Sequence, residues 1–375
     1  MDTRAGLKDA KRIVVKVGTS TLTYANGKLN LHRMDTLVRE LTDLANQGRE
    51  ILLVTSGAVG AGMDRMGLEK RPASIPEKQA LAAVGQGILM HIYEKLFAEY
   101  GLPAAQVLLT KENSVRHNQY TNSRNALLTL LHMGVVPIVN ENDAIAVDEL
   151  KIGDNDTLSA TVATLVDADV LIILSDIEGL YSANPQVDKN AQLLTEIPEI
   201  TPEIERIAGG AGSSLGTGGM HTKIEAAKIA VNAGVTMLIA AGDRAGVLRD
   251  ILEGQAVGSI FPARESHLKV RKSWLAFGRR IDGDIVVDAG CERAMLSGGS
   301  SLLAAGITAV EGDFQAGNTV RVLSVSGREI ARGIVNYDTI SLGKILGRQT
   351  SEFSKLLRGK IYEEVIHRDN MVLMV

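Results

Sequence analysis

Ile13-Val14-Val15-Lys16-Val17-Gly18-Thr19-Ser20 is a short apolar strand that carries a lysine near its end and runs into a small-residue turn. A strand that is apolar at consecutive positions is buried on both faces, as in a parallel sheet covered by helices. Far downstream, Thr217-Gly218-Gly219-Met220-His221-Thr222-Lys223 offers a second lysine beside a second glycine-bearing turn. Two such lysines suit an enzyme that holds the anionic oxygens of a phosphoryl group while it passes between two negatively charged molecules. Lys16 and Lys223 come from distant segments, so their convergence is an expectation of the fold and is not visible in their spacing.

Working outward from Lys16, apolar runs alternate with stretches of helical periodicity. Strands are expected at Arg12 to Val17, Ile51 to Thr55, Ala104 to Leu109, Val135 to Asn140, Val170 to Leu174 and Val235 to Ala240. Helices are expected at Leu31 to Gln47, Pro76 to Tyr100, Tyr120 to Met133, Thr157 to Asp167 and Thr222 to Ala233. Strands separated by roughly ten to twenty helical residues spell βαβ units and a mainly parallel sheet. Past residue 265 the grammar changes to short runs with glycine turns: Asp284 to Asp288, Gly298 to Leu303, Gly306 to Val310, Thr319 to Ser324 and Glu329 to Val335. Runs this closely spaced predict a small antiparallel barrel. Thr339 to Leu357 has helical spacing, and the stretch to Val375 reads as a tail or a last strand. The expected organisation is an α/β domain over 10–263, a linker at Arg264 to Arg271, and a second domain over 270–360. No fixed-period repeat is present, which excludes solenoids and propellers.

Composition narrows the function. The 375 residues are 45% hydrophobic but only 3% aromatic, so the cores must be built of Ile, Val, Leu and Ala. Lys plus Arg total 40 against 44 Asp plus Glu, a net charge of -4 that disfavours a protein whose main work is coating nucleic acid. One cysteine excludes an internal disulfide and any multi-thiolate metal site. No apolar run is long enough to span a membrane and Met1 to Lys11 is polar, so a soluble, cytoplasmic protein is expected.

Five further segments carry chemistry. Val54-Thr55-Ser56-Gly57-Ala58 repeats the strand-then-small-turn device of Lys16; Ser56 is either a helix cap or a cap that also touches a ligand. Pro137-Ile138-Val139-Asn140-Glu141-Asn142-Asp143 ends a strand in consecutive polar groups, and Gly153-Asp154-Asn155-Asp156 follows. So many amides and carboxylates at loop positions are costly unless something bound satisfies them, and Asn and Asp together suit the ammonium and carboxylate of an amino acid. Asp156 is placed to fix the lysine ammoniums; a turn and helix N-cap is the alternative for 154–156. Ser175-Asp176-Ile177-Glu178-Gly179-Leu180-Tyr181 ends the most apolar strand and is the nucleotide candidate, with Tyr181 either lining a purine pocket or lying on the surface. The glycine-dense run 209–220 reads as a flap for a triphosphate. Lys223, in the first turn of the next helix, opposes the helix dipole and calls for an anion there.

Absent motifs also count. There is no G-x-x-x-x-G-K-[ST] loop, no H-E-x-x-H, no G-x-S-x-G elbow and no G-x-G-x-x-G directly after a strand.

Taken in order, Lys16-Val17-Gly18-Thr19-Ser20, Ser56-Gly57-Ala58-Val59, Asn140-Glu141-Asn142-Asp143, Gly153-Asp154-Asn155-Asp156, Ser175-Asp176 with Gly179-Leu180-Tyr181, and Gly218-Gly219-Met220-x-Thr222-Lys223 resemble the amino acid kinase family, and within it the branch that acts on glutamate. Val287-Asp288-x-Gly290, Gly298 to Leu303, Gly306-Ile307 and Ile330-Ala331-Arg332-Gly333 resemble a PUA domain. The resemblance implies ATP-dependent phosphorylation of the glutamate γ-carboxylate with Mg²⁺, as the first committed step of proline synthesis and subject to inhibition by proline. It implies catalytic roles for Lys16, Lys223 and Asp156, and glutamate binding by Ser56, Asp143 and Asn155. ATP would be held by Lys16, Ser175, Asp176 and the segment Thr217, Gly218, Gly219, Met220, His221, Thr222 and Lys223. No residue is assigned to a metal. A homo-oligomer, a dimer or tetramer, is implied. His221 departs from the smaller residue usual in the family. Two rival readings stay open: a kinase of the same fold with another acceptor, and an RNA-binding module carried by the second domain.

Overall fold

The computed structural model describes residues 3–24, 26–68, 70, 72–110, 117–145, 155–185, 187–209, 219–264, 281–298, 300–357 and 362–374. The chain divides into two units, Met1–Glu265 and Ser266–Val375. Beyond Arg264, the expected linker lies outside the described residues.

The first unit is built on β1 (Arg12–Val17), β2 (Glu50–Val54), β3 (Ala104–Leu109), β4 (Val136–Glu141), β5 (Val170–Ser175), β6 (Thr236–Ala241) and β7 (Ser259–Phe261), in spatial order β3-β4-β2-β1-β5-β6-β7. The neighbours from β3 through β6 are parallel, and β7 alone runs antiparallel, against β6. β7 leaves no signature in the sequence, because its three residues are too few to display an alternation. Between the strands lie α1 (Thr19–Leu22), α2 (Leu31–Asn46), α3 (Ala58–Arg65), α4 (Ile75–Glu99), α5 (His117–His132), α6 (Asn155–Leu165), α7 (Pro202–Ala208), α8 (Met220–Asn232) and α9 (Val247–Leu252). Their starts follow local chemistry: the Asn30 side chain accepts from Arg33 N at α2, and Ser74, followed by Pro76 inside the first turn, accepts from Glu77 N at α4.

Side-chain alternation along the strands sorts the core into two layers. Val14, Leu52, Val54, Val139, Leu171, Ile173, Met237 and Ile239 pack with α6 and α8 residues such as Leu158, Val162, Ile224 and Ala227. Ile13, Val15, Val17, Leu53, Ile138, Ile172 and Leu238 pack on the other face with α2 and α4 residues such as Leu41, Leu89, Tyr93 and Phe97. Lys16 shares the parity of Val14 and therefore points to the α6/α8 layer. The chain walks from β1 to β2 and β4 on one side and then crosses to β5 on the other, so the strand order reverses at β1. The carboxyl edge at that reversal is where open α/β sheets bind ligands.

One close approach fixes the site's outer wall. A Cβ on Gly62 of α3 would lie 2.0 Å from Leu81 O, and one on Gly85 of α4 would lie 1.7 Å from Ala58 O. The two helices touch backbone to backbone through these glycines. Gly85→Ala is expected to force them apart and lower stability by about 1–3 kcal/mol or more, read as a lower urea midpoint at unchanged m-value; an unaltered midpoint would show that α3 shifts at no cost.

The second unit holds β8 (Gly283–Val287), β9 (Ile307–Gly312), β10 (Thr319–Ser324), β11 (Glu329–Ile334) and β12 (Met371–Leu373), in order β12-β11-β10-β8-β9, with α10 (Ala289–Gly298), α11 (Thr339–Ile345) and α12 (Phe353–Leu356). Three expectations need correction. The sheet is not wholly antiparallel, because β8 and β10 run parallel. Gly298 to Leu303 is not a strand: α10, whose start is held by Asp288 Oδ1 accepting from Cys291 N, runs to Gly298, and Leu302 makes only an isolated bridge to Ile366. The helix expected from Thr339 to Leu357 stops at Ile345 because Gly347 takes a left-handed φ of 67° and donates its N–H to Ala304 O.

Candidate active site

Three charged side chains meet above the carboxyl end of β1. Lys16 Nζ lies 2.6 Å from Asp156 Oδ1, and Lys223 Nζ lies 3.1 Å from Asp156 Oδ2. Asp156 is 0% exposed, Lys16 4% and Lys223 5%. The sequence arranges this locally: strand parity aims Lys16 at the α6/α8 layer, while Asp156 and Lys223 occupy the first turns of α6 and α8. An aspartate at a helix N-terminus is favoured by the dipole and a lysine there is not. The anion that Lys223 called for is, within this structure, the Asp156 carboxylate, which also accepts from Thr222 Oγ1 at 3.0 Å. Two ammoniums against one carboxylate leave this trio with a surplus of positive charge. Lys16 Nζ also lies 3.6 Å from where a Gly18 Cβ would stand, beside the turn that opens α1.

A chain of amides extends sideways from the trio. Asn155 Nδ2 donates to Thr55 O at 2.6 Å, Ser56 Oγ at 2.7 Å and Asn140 Oδ1 at 2.9 Å, sharing two hydrogens among three acceptors. Asn140 Oδ1 also accepts from Glu141 N, and Asn140 Nδ2 donates to Gln86 Oε1 at 2.8 Å. Tyr93 Oη, 2.9 Å from Thr55 Oγ1, braces the same strand end, and burial pushes its pKa up. Asp143 lies in the loop after β4 and lines a cleft of about 240 Å³ together with Ala58, Gln86, Gln106 and Asn142.

The nucleotide candidates are placed separately. Ser175 ends β5, one residue past the Leu174 that pairs with Val17, and its Oγ donates to Asp176 Oδ1 at 3.0 Å. Gly219 caps α8, Met220 opens it, and His221 is exposed on its first turn. Tyr181, half-buried, donates its hydroxyl to Glu178 Oε2 at 2.7 Å. Thr217 and Gly218, with most of the expected flap, lie outside the described residues, as does Asp154.

The structure thus gathers Lys16, Asp156, Thr222 and Lys223 in one cluster and Ser56 and Asn155 in an adjoining one, while Asp143 stands on the cleft. Two participants carried no assigned role in the sequence reading. Asn140, inside the Asn140-Glu141-Asn142-Asp143 motif, is the joint between Asn155 and Gln86. Gln86 had a signal of its own: in Leu81-Ala82-Ala83-Val84-Gly85-Gln86-Gly87-Ile88-Leu89 it is the one polar side chain in an apolar helical run.

Burial, with Asp288 second, pushes the single thiol of Cys291 up to about 11, far from a reactive thiolate. Among the described residues no group of three or more His, Cys, Asp or Glu side chains is arranged to hold a metal ion, and no helix is long and apolar enough to cross a membrane.

Comparison with known proteins adds a second line. The model of the amino acid kinase family matches residues 11–241, and that of the PUA domain matches residues 283–357. A glutamate 5-kinase of Moorella thermoacetica is 54% identical over 371 residues, covering 99% of this chain and 98% of its own length. One from Carboxydothermus hydrogenoformans is 52% identical over 370 residues, covering 98% and 99%.

Proposed function

The chain belongs to the amino acid kinase family, a family of phosphotransferases, and from that premise we propose that it transfers the γ-phosphoryl group of ATP to the γ-carboxylate of L-glutamate, giving L-glutamyl 5-phosphate. The observation that carries the reading is the buried pair of ammoniums held by one carboxylate at the reversal point of the sheet. The acceptor needs no general base, since a glutamate side chain has an unperturbed pKa of about 4.3 and is ionised at neutral pH. An oxygen of the γ-carboxylate bonds to the γ-phosphorus as the bridging oxygen departs with ADP, and no proton moves. The obstacle is repulsion between two anions, which Lys16 and Lys223 relieve by facing the phosphoryl oxygens while the attacking and leaving oxygens lie in line.

Asp156 is not a base in this scheme, because both its oxygens face ammoniums; it is a positioning residue that holds the two lysines together and aimed. Ser56, Asn155 and Asp143 bind glutamate, with Asp143 supplying the charge for its ammonium. Ser175, Asp176 and the segment from Thr217 to Lys223 hold ATP. Mg²⁺ is proposed as a companion of the nucleotide, where it would lower the charge of the phosphates. The Asp156 carboxylate, already facing two lysines, is not proposed as its ligand.

The reaction is assigned to proline biosynthesis, in the cytoplasm, with proline as a feedback inhibitor and a homo-oligomer as the working form. For the second unit we propose a structural or regulatory part rather than RNA contact. Arg321, Arg328 and Arg332 are each paired with a carboxylate, Asp284, Glu292 and Glu329, which cancels the field a phosphate backbone would seek.

The test is ATP-dependent formation of a hydroxylamine-trappable product, with glutamate, aspartate or acetylglutamate as acceptor and with or without proline. A hydroxamate that depends on glutamate is expected; a strong preference for another acceptor refutes the assignment. Asn155→Ala is expected to raise the glutamate KM about tenfold or more, the loss of a hydrogen bond to a charged group. Unchanged glutamate saturation would remove Asn155 from the substrate site.

A further inference from the structure

We propose that Gln86 is a specificity-determining residue that donates a hydrogen bond from Nε2 to the α-carboxylate of the amino acid acceptor, an inference that rests on the function proposed above. The orientation of its amide is forced. Glu141 N can only donate, so the Asn140 atom it meets at 2.9 Å is Oδ1. Asn140 therefore presents Nδ2 to Gln86, and Gln86 must answer with Oε1, which it does at 2.8 Å. Nε2 is left facing the other way, buried and without a hydrogen-bond partner. Gln86 lines the cleft that Asp143 and Asn142 also line. A buried unpaired donor is a standing cost that native structures rarely carry without a reason, and a ligand oxygen in the cleft removes it.

The chemistry of that oxygen follows from the layout. The reacting carboxylate must sit with Lys16 and Lys223, on the α6/α8 side of the sheet. The amide chain from Asn155 through Asn140 leads away from that centre to α4, which packs on the opposite layer. What reaches Gln86 is therefore the far end of the acceptor, its ammonium or its α-carboxylate. An N–H donor repels an ammonium and welcomes a carboxylate, while the carboxylates of Asp143 and Glu141, which line the same cleft, suit the ammonium. The cleft, at about 240 Å³, is many times the ~10–15 Å³ that a single water requires, ample for a small amino acid.

The test pairs a variant with a truncated ligand. 4-Aminobutanoate keeps the amine and the reacting carboxylate of glutamate and lacks the α-carboxylate. Gln86→Leu is expected to raise the glutamate KM about tenfold or more, with the KM for ATP little changed and the inhibition constant of 4-aminobutanoate within about twofold of the wild type, as a cycle requires when the lost contact is to the missing group. Gln86→Glu keeps an oxygen for Asn140 Nδ2 and replaces the donor by an acid whose ionisation burial delays. Its glutamate KM should climb between about pH 6 and 9 while the wild type stays flat. Equal weakening of both ligands, or a glutamate KM the same as wild type in both variants, overturns the assignment. A wild-type enzyme that makes no glutamate-dependent acyl phosphate overturns instead the reading on which it rests.

Discussion

Replacing Lys223 by alanine is expected to lower kcat about a hundred- to a thousandfold while the protein remains folded and the glutamate KM changes little. The same holds for Lys16→Ala. In the proposed reaction each ammonium would face phosphoryl oxygens whose charge is redistributed only during transfer, so its loss would fall on the transition state and appear in kcat. Folding survives because the single carboxylate still has a partner: without Lys223, Lys16 remains 2.6 Å from Asp156, and without Lys16, Lys223 remains at 3.1 Å. Lys223→Arg keeps the charge but replaces a compact ammonium by a wide planar fork in a nearly closed space, so it should recover only part of the loss. A single alanine variant with kcat within about tenfold of wild type would remove that lysine from the transfer step.

The lysines were legible in the sequence because each ends or begins an element with a clear signature. Ile13 to Val17 could only be a buried strand, and a charge inside it asks for a partner. The partner was legible too, since Asp156 follows two short polar residues and precedes the apolar Leu158 of a helix. Which face each occupied was not legible: that depends on strand parity relative to the helices, and parity has meaning only once the two layers of the sheet are known. Gln86 stayed hidden for a related reason. Its importance comes from a hydrogen-bond chain through Asn140 and Asn155, residues from a different strand and helix, and no local pattern predicts a relay of that kind. In the second unit the errors were of another sort. Gly298 to Leu303 and the far half of Thr339 to Leu357 carry apolar patterns too short to separate strand, turn and helix, and Gly347 decides the second case by a backbone angle that a sequence does not print.

Asp156→Asn is expected to cost about 3–5 kcal/mol of folding stability, a larger loss than either lysine variant, and to abolish measurable turnover. The asymmetry follows from charge. Removing one lysine leaves a plus and a minus side by side, whereas removing the carboxylate leaves two buried ammoniums facing a neutral amide. Their repulsion has then lost the group that both faced, at side-chain exposures of 5% and 7%. Chemical denaturation should therefore show the midpoint falling well below that of Lys16→Ala. The triple variant Lys16→Met, Asp156→Leu, Lys223→Met separates a catalytic role for the trio from a structural one. If the trio is kept for transfer rather than for folding, replacing all three charges by apolar groups should bring stability back to within about 1–2 kcal/mol of wild type or above it, as buried ion clusters elsewhere allow, with no return of activity. A triple variant as unstable as Asp156→Asn alone would mean that the cluster holds the α6, α8 and β1 junction together, and that its catalytic geometry is a consequence of structural need.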